Sequence, residues 1–447
     1  MTDTEAQSIP RDRDSEHDVQ PTAAPPLLQT LSLVPSNTPQ DGGRRAWIQV
    51  LGCFLIFFNV WGYPSVWGAF QEYYASNLLS ENSPGTIAWI GSTQSTLLIL
   101  VGILSGPIFD LGYYQTLMFA GAIICVSGVM LVSLATKYWQ VMLCQGICVG
   151  LGCGMIFIPT LALVTRSFQR RRALAVATVF SGTPVGAIMY GFVFSRLIGP
   201  LGYPWTARSL AFMMMGIFAV SLPLVLWGAS NTGQITDGRK RRMLDKAALT
   251  DPPFWAYTVA LSTMSLAYWV PYYYIPTFAR SALGTSQAWS SYLLMIAQAA
   301  SVFGRYFAAI AADHFGVMLT WLVTSVISGA VCLVWIGVTE FKPFIAFCVL
   351  WGITSGPLVP LPASIFPVVC PNRNVLGTRL GMSEAIASAF NLIGPPIAGA
   401  LMRKDEKKTR EYLAVQMFAG LILIGGGVQL LYLWWYLVKK RSNKVFI

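Results

Sequence analysis

From Ala46 onward the chain alternates between apolar stretches and short polar breaks. A helix rises ~1.5 Å per residue, so about 20 apolar residues cross the ~30 Å hydrocarbon core of a bilayer. Stretches of that length fall at 46–70, 86–108, 113–135, 138–163, 173–195 and 207–228, then at 254–276, 287–311, 317–338, 343–367, 379–402 and 412–437. With 55% hydrophobic and 11% charged residues, the composition reverses that of a soluble domain. The predicted fold is therefore an all-α membrane protein with twelve transmembrane helices. The long polar break at 229–253, with Arg239-Lys240-Arg241-Arg242, reads as a cytoplasmic linker between two six-helix bundles, 46–228 and 254–437. Residues 1–45, rich in Pro, Ser and Thr, read as a disordered cytoplasmic tail, and 438–447 as a second tail. No signal peptide is expected, because a long polar segment precedes the first span.

The net charge of +11 sits mainly in loops and tails rather than in a basic stripe with exposed aromatics. It therefore points to membrane orientation and anionic lipid headgroups, with no nucleic acid as partner. Arg166, Arg170, Arg171 and Arg172, the central linker, and Lys439, Lys440, Arg441 and Lys444 all lie on one side if both termini are cytoplasmic. The segment Arg403–Arg410 dissents, since it would face outside; Asp405, Glu406 and Glu411 dilute its charge only in part.

Chemistry has little to stand on. The 8 cysteines lie almost entirely within apolar stretches and the 2 histidines, His17 and His314, lie apart. Cys144 and Cys148 share a helical face, which permits a soft-metal site, but small residues between helices are the ordinary reading. No cofactor is expected.

The two halves echo each other. Gly106-Pro107-Ile108-Phe109-Asp110-Leu111-Gly112 follows the second span, and Asp313-His314-Phe315-Gly316 follows the eighth. An acid followed by a glycine at matched places suggests a parallel internal repeat. Arg305 is the charge well inside a predicted span, where an arginine costs about 2.5–3.5 kcal/mol on insertion scales. By helical spacing Ser301 and Gln298 share its face. A buried guanidinium can hold a carboxylate through two parallel hydrogen bonds. The alternative is that Arg305 ties neighbouring helices through backbone carbonyls or snorkels toward the cytoplasm. Glu384 shares a face with Ser388 and Asn391 and is placed to partner Arg305, to exchange a proton, or to gate beside Arg379; residue types alone leave all three open. Asn59 and Tyr63 in the first span, and Tyr272 in the seventh, are further candidate substrate contacts, although polar groups in spans more often bond neighbouring helices. Gly182-Thr183-Pro184-Val185-Gly186 and Gly394-Pro395-Pro396 occupy corresponding places in the halves, where glycine permits close approach and proline bends a helix.

Several of these motifs together carry a resemblance. Asp41-Gly42-Gly43-Arg44-Arg45-Ala46-Trp47, Gly68-Ala69-Phe70-Gln71-Glu72-Tyr73-Tyr74, Arg171-Arg172-Ala173-Leu174-Ala175, Phe303-Gly304-Arg305, Arg379-Leu380-Gly381-Met382 and Asn391-Leu392-Ile393-Gly394-Pro395-Pro396 resemble the signatures of fungal members of the monocarboxylate-porter family, within the major facilitator superfamily. The resemblance covers about residues 41–440. It implies a secondary-active transporter at the plasma membrane, moving a small organic acid or amphiphilic metabolite by rocking of two bundles. It also implies that Arg305 meets the substrate; the loop motifs at Asp110 and Asp313 are expected to bridge helix ends on the cytoplasmic face, latching the outward-open state. Proton-coupled lactate carriers of this family place a lysine in the first helix, where Tyr63-Pro64-Ser65-Val66-Trp67 has none. They also carry an aspartate one turn before the helix-eight arginine, where this chain has Ser301. Metabolite efflux is thus expected on a par with proton-coupled uptake. A lining of Trp61, Trp67, Trp269 and Tyr272 suits something bulkier than lactate. A sensor built on a transporter scaffold is the alternative from another class, and it lacks a long signalling segment.

Overall fold

In the computed structural model the described residues are 43–168, 171–229, 244–370, 375–402 and 408–440. The expectations placed on Asp41 and Gly42, on Arg170, on the basic linker run Arg239–Arg242, on Asp405 and Glu406, and on the terminal tails fall outside them. The same holds for the side chains of Arg166, Arg172 and Lys440.

The described residues form helices and no strands. Helix α1 (44–78) is the least regular. Its segments Arg44–Val60, Gly62–Ser65 and Trp67–Tyr73 end in a π turn at Tyr74–Leu78. It is followed by α2 (Pro84–Asp110), α3 (Tyr114–Val132) and α4 (138–167). Helices α5 (172–201) and α6 (203–229) run on from one another, separated only at Gly202, whose φ of 69° breaks the helical path between Pro200 and Pro204. After a short 3-10 turn come α7 (Pro252–Ser281), α8 (Gln287–Phe315), α9 (317–337), α10 (Phe341–Val369), α11 (Leu376–Ala400) and α12 (Leu413–Lys440).

Eight helices among the described residues are long and apolar enough to cross a membrane, one of them being the fused stretch Leu174–Gly228. Helices α1, α7 and α11 fall outside that set for physical reasons. The first is broken into short segments, and the other two devote one face to hydroxyl, phenol and charged side chains. Such a face is tolerated in a bilayer only when turned to the protein interior.

The halves repeat each other. Helix α1 packs on α5 as α7 packs on α11; α2 packs on α4 as α8 packs on α10. The halves meet where α2 lies along α11, α5 along α8 and α1 along α7. The glycines that suggested a repeat behave alike: Gly112 and Gly316 stand at φ 93° and 89° just after Asp110 and Asp313. A left-handed backbone is cheap for glycine and costs a side-chain-bearing residue about 1–2 kcal/mol. The matched turns thus reverse the chain at equivalent points.

Candidate functional site

The centre of the molecule is aromatic. Trp61 of α1 and Trp269 of α7 lie with ring planes 4° apart and centroids 6.4 Å apart. Around them stand Phe157 of α4, edge-on to Trp61 at 5.5 Å, and Tyr268, edge-on to Trp269 at 5.1 Å. Tyr272 is tilted on Trp351 at 5.6 Å and shares a 2.8 Å hydrogen bond with the Ser355 hydroxyl.

Exposure grades along the interior. Trp61, Phe157, Phe180, Tyr268, Trp269, Arg305 and Glu384 are all partly exposed, whereas Tyr63, Trp67, Tyr272, Tyr273 and Tyr274 are buried. The interior therefore opens toward the face at which α1 begins and α12 ends, called here the tail face. It is sealed toward the opposite face.

The seal has three parts. Glu72 on α1 accepts from Arg280 on α7 at 3.0 Å, an ion pair that joins the halves. Its carboxylate, 3% exposed, also accepts from the Ser76 hydroxyl at 2.9 Å. Burying a lone carboxylate would be costly, and the guanidinium together with the hydroxyl compensates it. Next, Gly68 of α1 lies directly against the Tyr272 carbonyl and the Pro276 ring of α7. Pro276 has no N–H to offer that carbonyl, so its fourth-residue helical partner is missing and the neighbouring helix covers it. Finally, Gly85 of α2 abuts Gly399 of α11, where a Cβ on Gly85 would lie 2.9 Å from the Pro396 carbonyl.

Arg305 sits on the tail side of the aromatic cluster. Its Nη1 donates to the Phe180 carbonyl of α5 at 3.1 Å, across the two halves. Pro184 stands four residues after Phe180, so that carbonyl has no helical donor either. A proline on α5 thus creates the acceptor, and an arginine on α8 fills it. The Arg305 Nε is buried without a hydrogen-bond partner, and the guanidinium lies within electrostatic reach of Tyr268 and Tyr272. One donor is spent on helix packing, and the buried Nε is left unpaired.

The other candidates divide clearly. Ser301 donates back to the Gln298 carbonyl at 2.7 Å, and Gln298 Nε2 reaches the Ser65 carbonyl of α1 at 3.4 Å. These two place the polar stripe of α8 against α1. Asn59 is spent on helix packing: its amide donates to the Met214 carbonyl at 3.0 Å and accepts from Tyr190 at 2.7 Å. Tyr63 is buried between Phe70 and Tyr190. Glu384, on the tail half of α11, lies within electrostatic reach of Tyr257 on α7. Arg379 does not turn to it: its Nε holds Asp245 at 2.7 Å and its Nη1 holds Asp251 at 2.6 Å, tying the start of α11 to the segment before α7. Asp110, partly buried, and Asp313, exposed, close α2 and α8 at the tail face. Cys125 and Cys153 pair by a 3.5 Å sulfur contact, and no group of three or more His, Cys, Asp and Glu gathers among the described residues.

Sequence reasoning passed over Glu72 and Arg280, because spans drawn at 46–70 and 254–276 stop short of both. The signal was present: aromatic residues continue through Tyr73 and Tyr74 on one helix and through Phe278 on the other. The Phe180 carbonyl left no signal of its own; only counting four residues back from Pro184 reveals it.

Among the described residues, twelve helices in two repeating halves, with an interior that opens to one face beside the Arg305 guanidinium, define a polytopic membrane transporter. The chain belongs to the Major Facilitator Superfamily, whose profile matches residues 50–375. It is 34% identical over 81% of its length to the MFS-type transporter dbaD of Emericella nidulans, covering 80% of that protein. It is 30% identical to the aspyridones efflux protein apdF of Emericella nidulans, over 88% of this chain and 79% of that one. The fujikurins efflux protein of Gibberella fujikuroi is also 30% identical, over 91% of this chain and 86% of that protein. Among solved structures, a peptide transporter in complex with alafosfalin superposes with a TM-score of 0.70, covering 88% of this chain and 96% of that one at 12% identity. That likeness is one of fold.

Proposed function

We propose that this protein exports a bulky, amphiphilic organic acid by alternating access, with Arg305 as the contact for the acid. The observation that carries the reading is the partly exposed aromatic surface around a guanidinium whose Nε has no partner. A short acid would leave most of that surface wet, whereas an amphiphile covers it and gains about 25 cal/mol per Å² of apolar area removed from water. The printed names of two relatives, efflux proteins for aspyridones and fujikurins, support export. The likeness to monocarboxylate porters supports an acid as cargo. In this reading the tail face is cytoplasmic, as the basic loops favour, the structure is the inward-open state, and the membrane is the plasma membrane. The boundaries 46–228 and 254–437 are then those of the two rocking bodies.

Proton-coupled uptake of a monocarboxylate is the second reading, and Glu384 on the interior side of α11 favours it. Flux in proteoliposomes separates the two, with short monocarboxylates and larger amphiphilic acids offered with and without a pH gradient. Movement of the larger acids and none of the short ones is the expected result. Gradient-driven accumulation of a short monocarboxylate would replace export with uptake. Impermeant labelling of a cysteine placed in either tail of intact cells would overturn the orientation.

A further inference from the structure

The Trp61 and Trp269 indoles belong to opposite halves, on α1 and α7, and lie parallel. Two rings in direct face contact are separated by about 3.5 Å between carbon atoms, so a third ring slipped between them requires about 7 Å. The centroid separation of 6.4 Å therefore reflects a lateral slip or a gap just short of one ring's thickness, and either arrangement leaves ring face uncovered. The exposure pattern agrees. These two indoles are partly exposed, while the neighbouring Trp67, Tyr272, Tyr273 and Trp351 are buried. The Trp61 Nε1 is buried without a hydrogen-bond partner. Arg305 is not in the stack. Between it and Trp61 run the rings of Phe180, Phe57 and Phe157, each touching the next.

Resting on the export reading, we infer that Trp61 and Trp269 form an inter-bundle clamp for a planar conjugated ring, and that the cargo class is a planar conjugated acid whose anionic group reaches Arg305. An indole face favours a flat π-system over a saturated ring of equal size through its quadrupole as well as through area. Because the two jaws stand on different bodies, a flat cargo bridges them, and a branched or puckered one cannot enter without forcing α1 from α7. Tyr268 and Phe157, edge-on to the jaws, hold the indoles parallel.

The test measures binding of naphthoate and of its fully hydrogenated counterpart to the full-length protein in nanodiscs, by tryptophan fluorescence and by equilibrium dialysis. The two probes share charge and carbon skeleton and differ in planarity. Naphthoate is expected to bind about tenfold more tightly, equivalent to about 1.4 kcal/mol. Trp269→Leu should erase that ratio and Trp269→Phe should keep most of it, with Trp61→Leu as an independent second jaw. Arg305→Gln should leave that ratio intact. Equal affinities in the wild type, a ratio that survives both leucine variants, or no binding of naphthoate overturns the clamp. Arg305-dependent flux of non-planar amphiphilic acids alongside such a result would leave export standing. Failure of the export reading shows separately, as gradient-driven accumulation of short acids.

Discussion

The two ends of the inter-bundle interface are built differently. At the opposite face, glycines let backbones touch: Gly68 on the Tyr272 carbonyl, Gly85 on Gly399, with the Glu72–Arg280 pair set among them. In the tail half the halves meet through side chains that reach, chiefly Arg305 to the Phe180 carbonyl. A Cβ on Gly381 of α11 would lie a relaxed 3.4 Å from Ile103 of α2. The comparison teaches that close backbone packing and a buried ion pair make a shut door, whereas a long flexible cation makes a joint that holds while leaving room. Small residues are what permit van der Waals contact between helices where lipid removes the hydrophobic driving force.

Breaking the joint should have the largest effect. Arg305→Ala removes the carbonyl tie and, on the export reading, the anion contact with it. Truncating one partner of a buried charged hydrogen bond costs about 2–5 kcal/mol. Flux of an amphiphilic acid should fall at least thirtyfold with the protein still monodisperse on size exclusion, and wild-type flux would remove Arg305 from the site. Breaking the door comes next. Gly68→Ala inserts a methyl group where the Tyr272 carbonyl already lies. It should part α1 from α7 and raise labelling of a cysteine at Ser65 from the opposite face by about tenfold; unchanged labelling would mean that the seal lies elsewhere. Glu72→Gln keeps the size and the Ser76 contact while removing the charge. It should raise the same labelling by about threefold, because Arg280 is 38% exposed and regains water easily. The smallest effect belongs to Pro184→Ala. It lets α5 complete its own hydrogen bond to Phe180, so the Arg305 tie must share its acceptor, and binding of the acid should change by less than about fivefold. A thirtyfold loss in this variant would show that the proline's bend, not the Phe180 carbonyl it frees, matters.

Much of the fold was legible because hydrocarbon imposes a length on every helix, and that length recurs along the chain. The matched turns were legible too, since a glycine with positive φ after an acid leaves a mark in both halves. The end of α1 was not. A charge stops a hydropathy window, and neither Glu72 nor Arg280 announces that the other neutralises it from a distant helix. Within the site, Arg305 stood out by cost alone, and Trp61 and Trp269 by residue type. The uses of Asn59 and Tyr63 were hidden, because a polar side chain on a span looks the same whether it meets Met214 and Tyr190 or a ligand. Sequence reports which groups must be satisfied; only the packing reports by whom.

Pro184 has one more consequence. The guanidinium of Arg305 is carried by α8, but its heading is set by a carbonyl on α5, in the other half. A compass needle mounted on one vessel and magnetised by another cannot keep its bearing when the vessels shift. On the export reading, rocking of the halves turns the unpaired Nε edge, and with it the direction from which an anion is welcome. On that reading cargo recognition and the carrier's posture are a single coordinate, read once by the ligand and once by the bilayer.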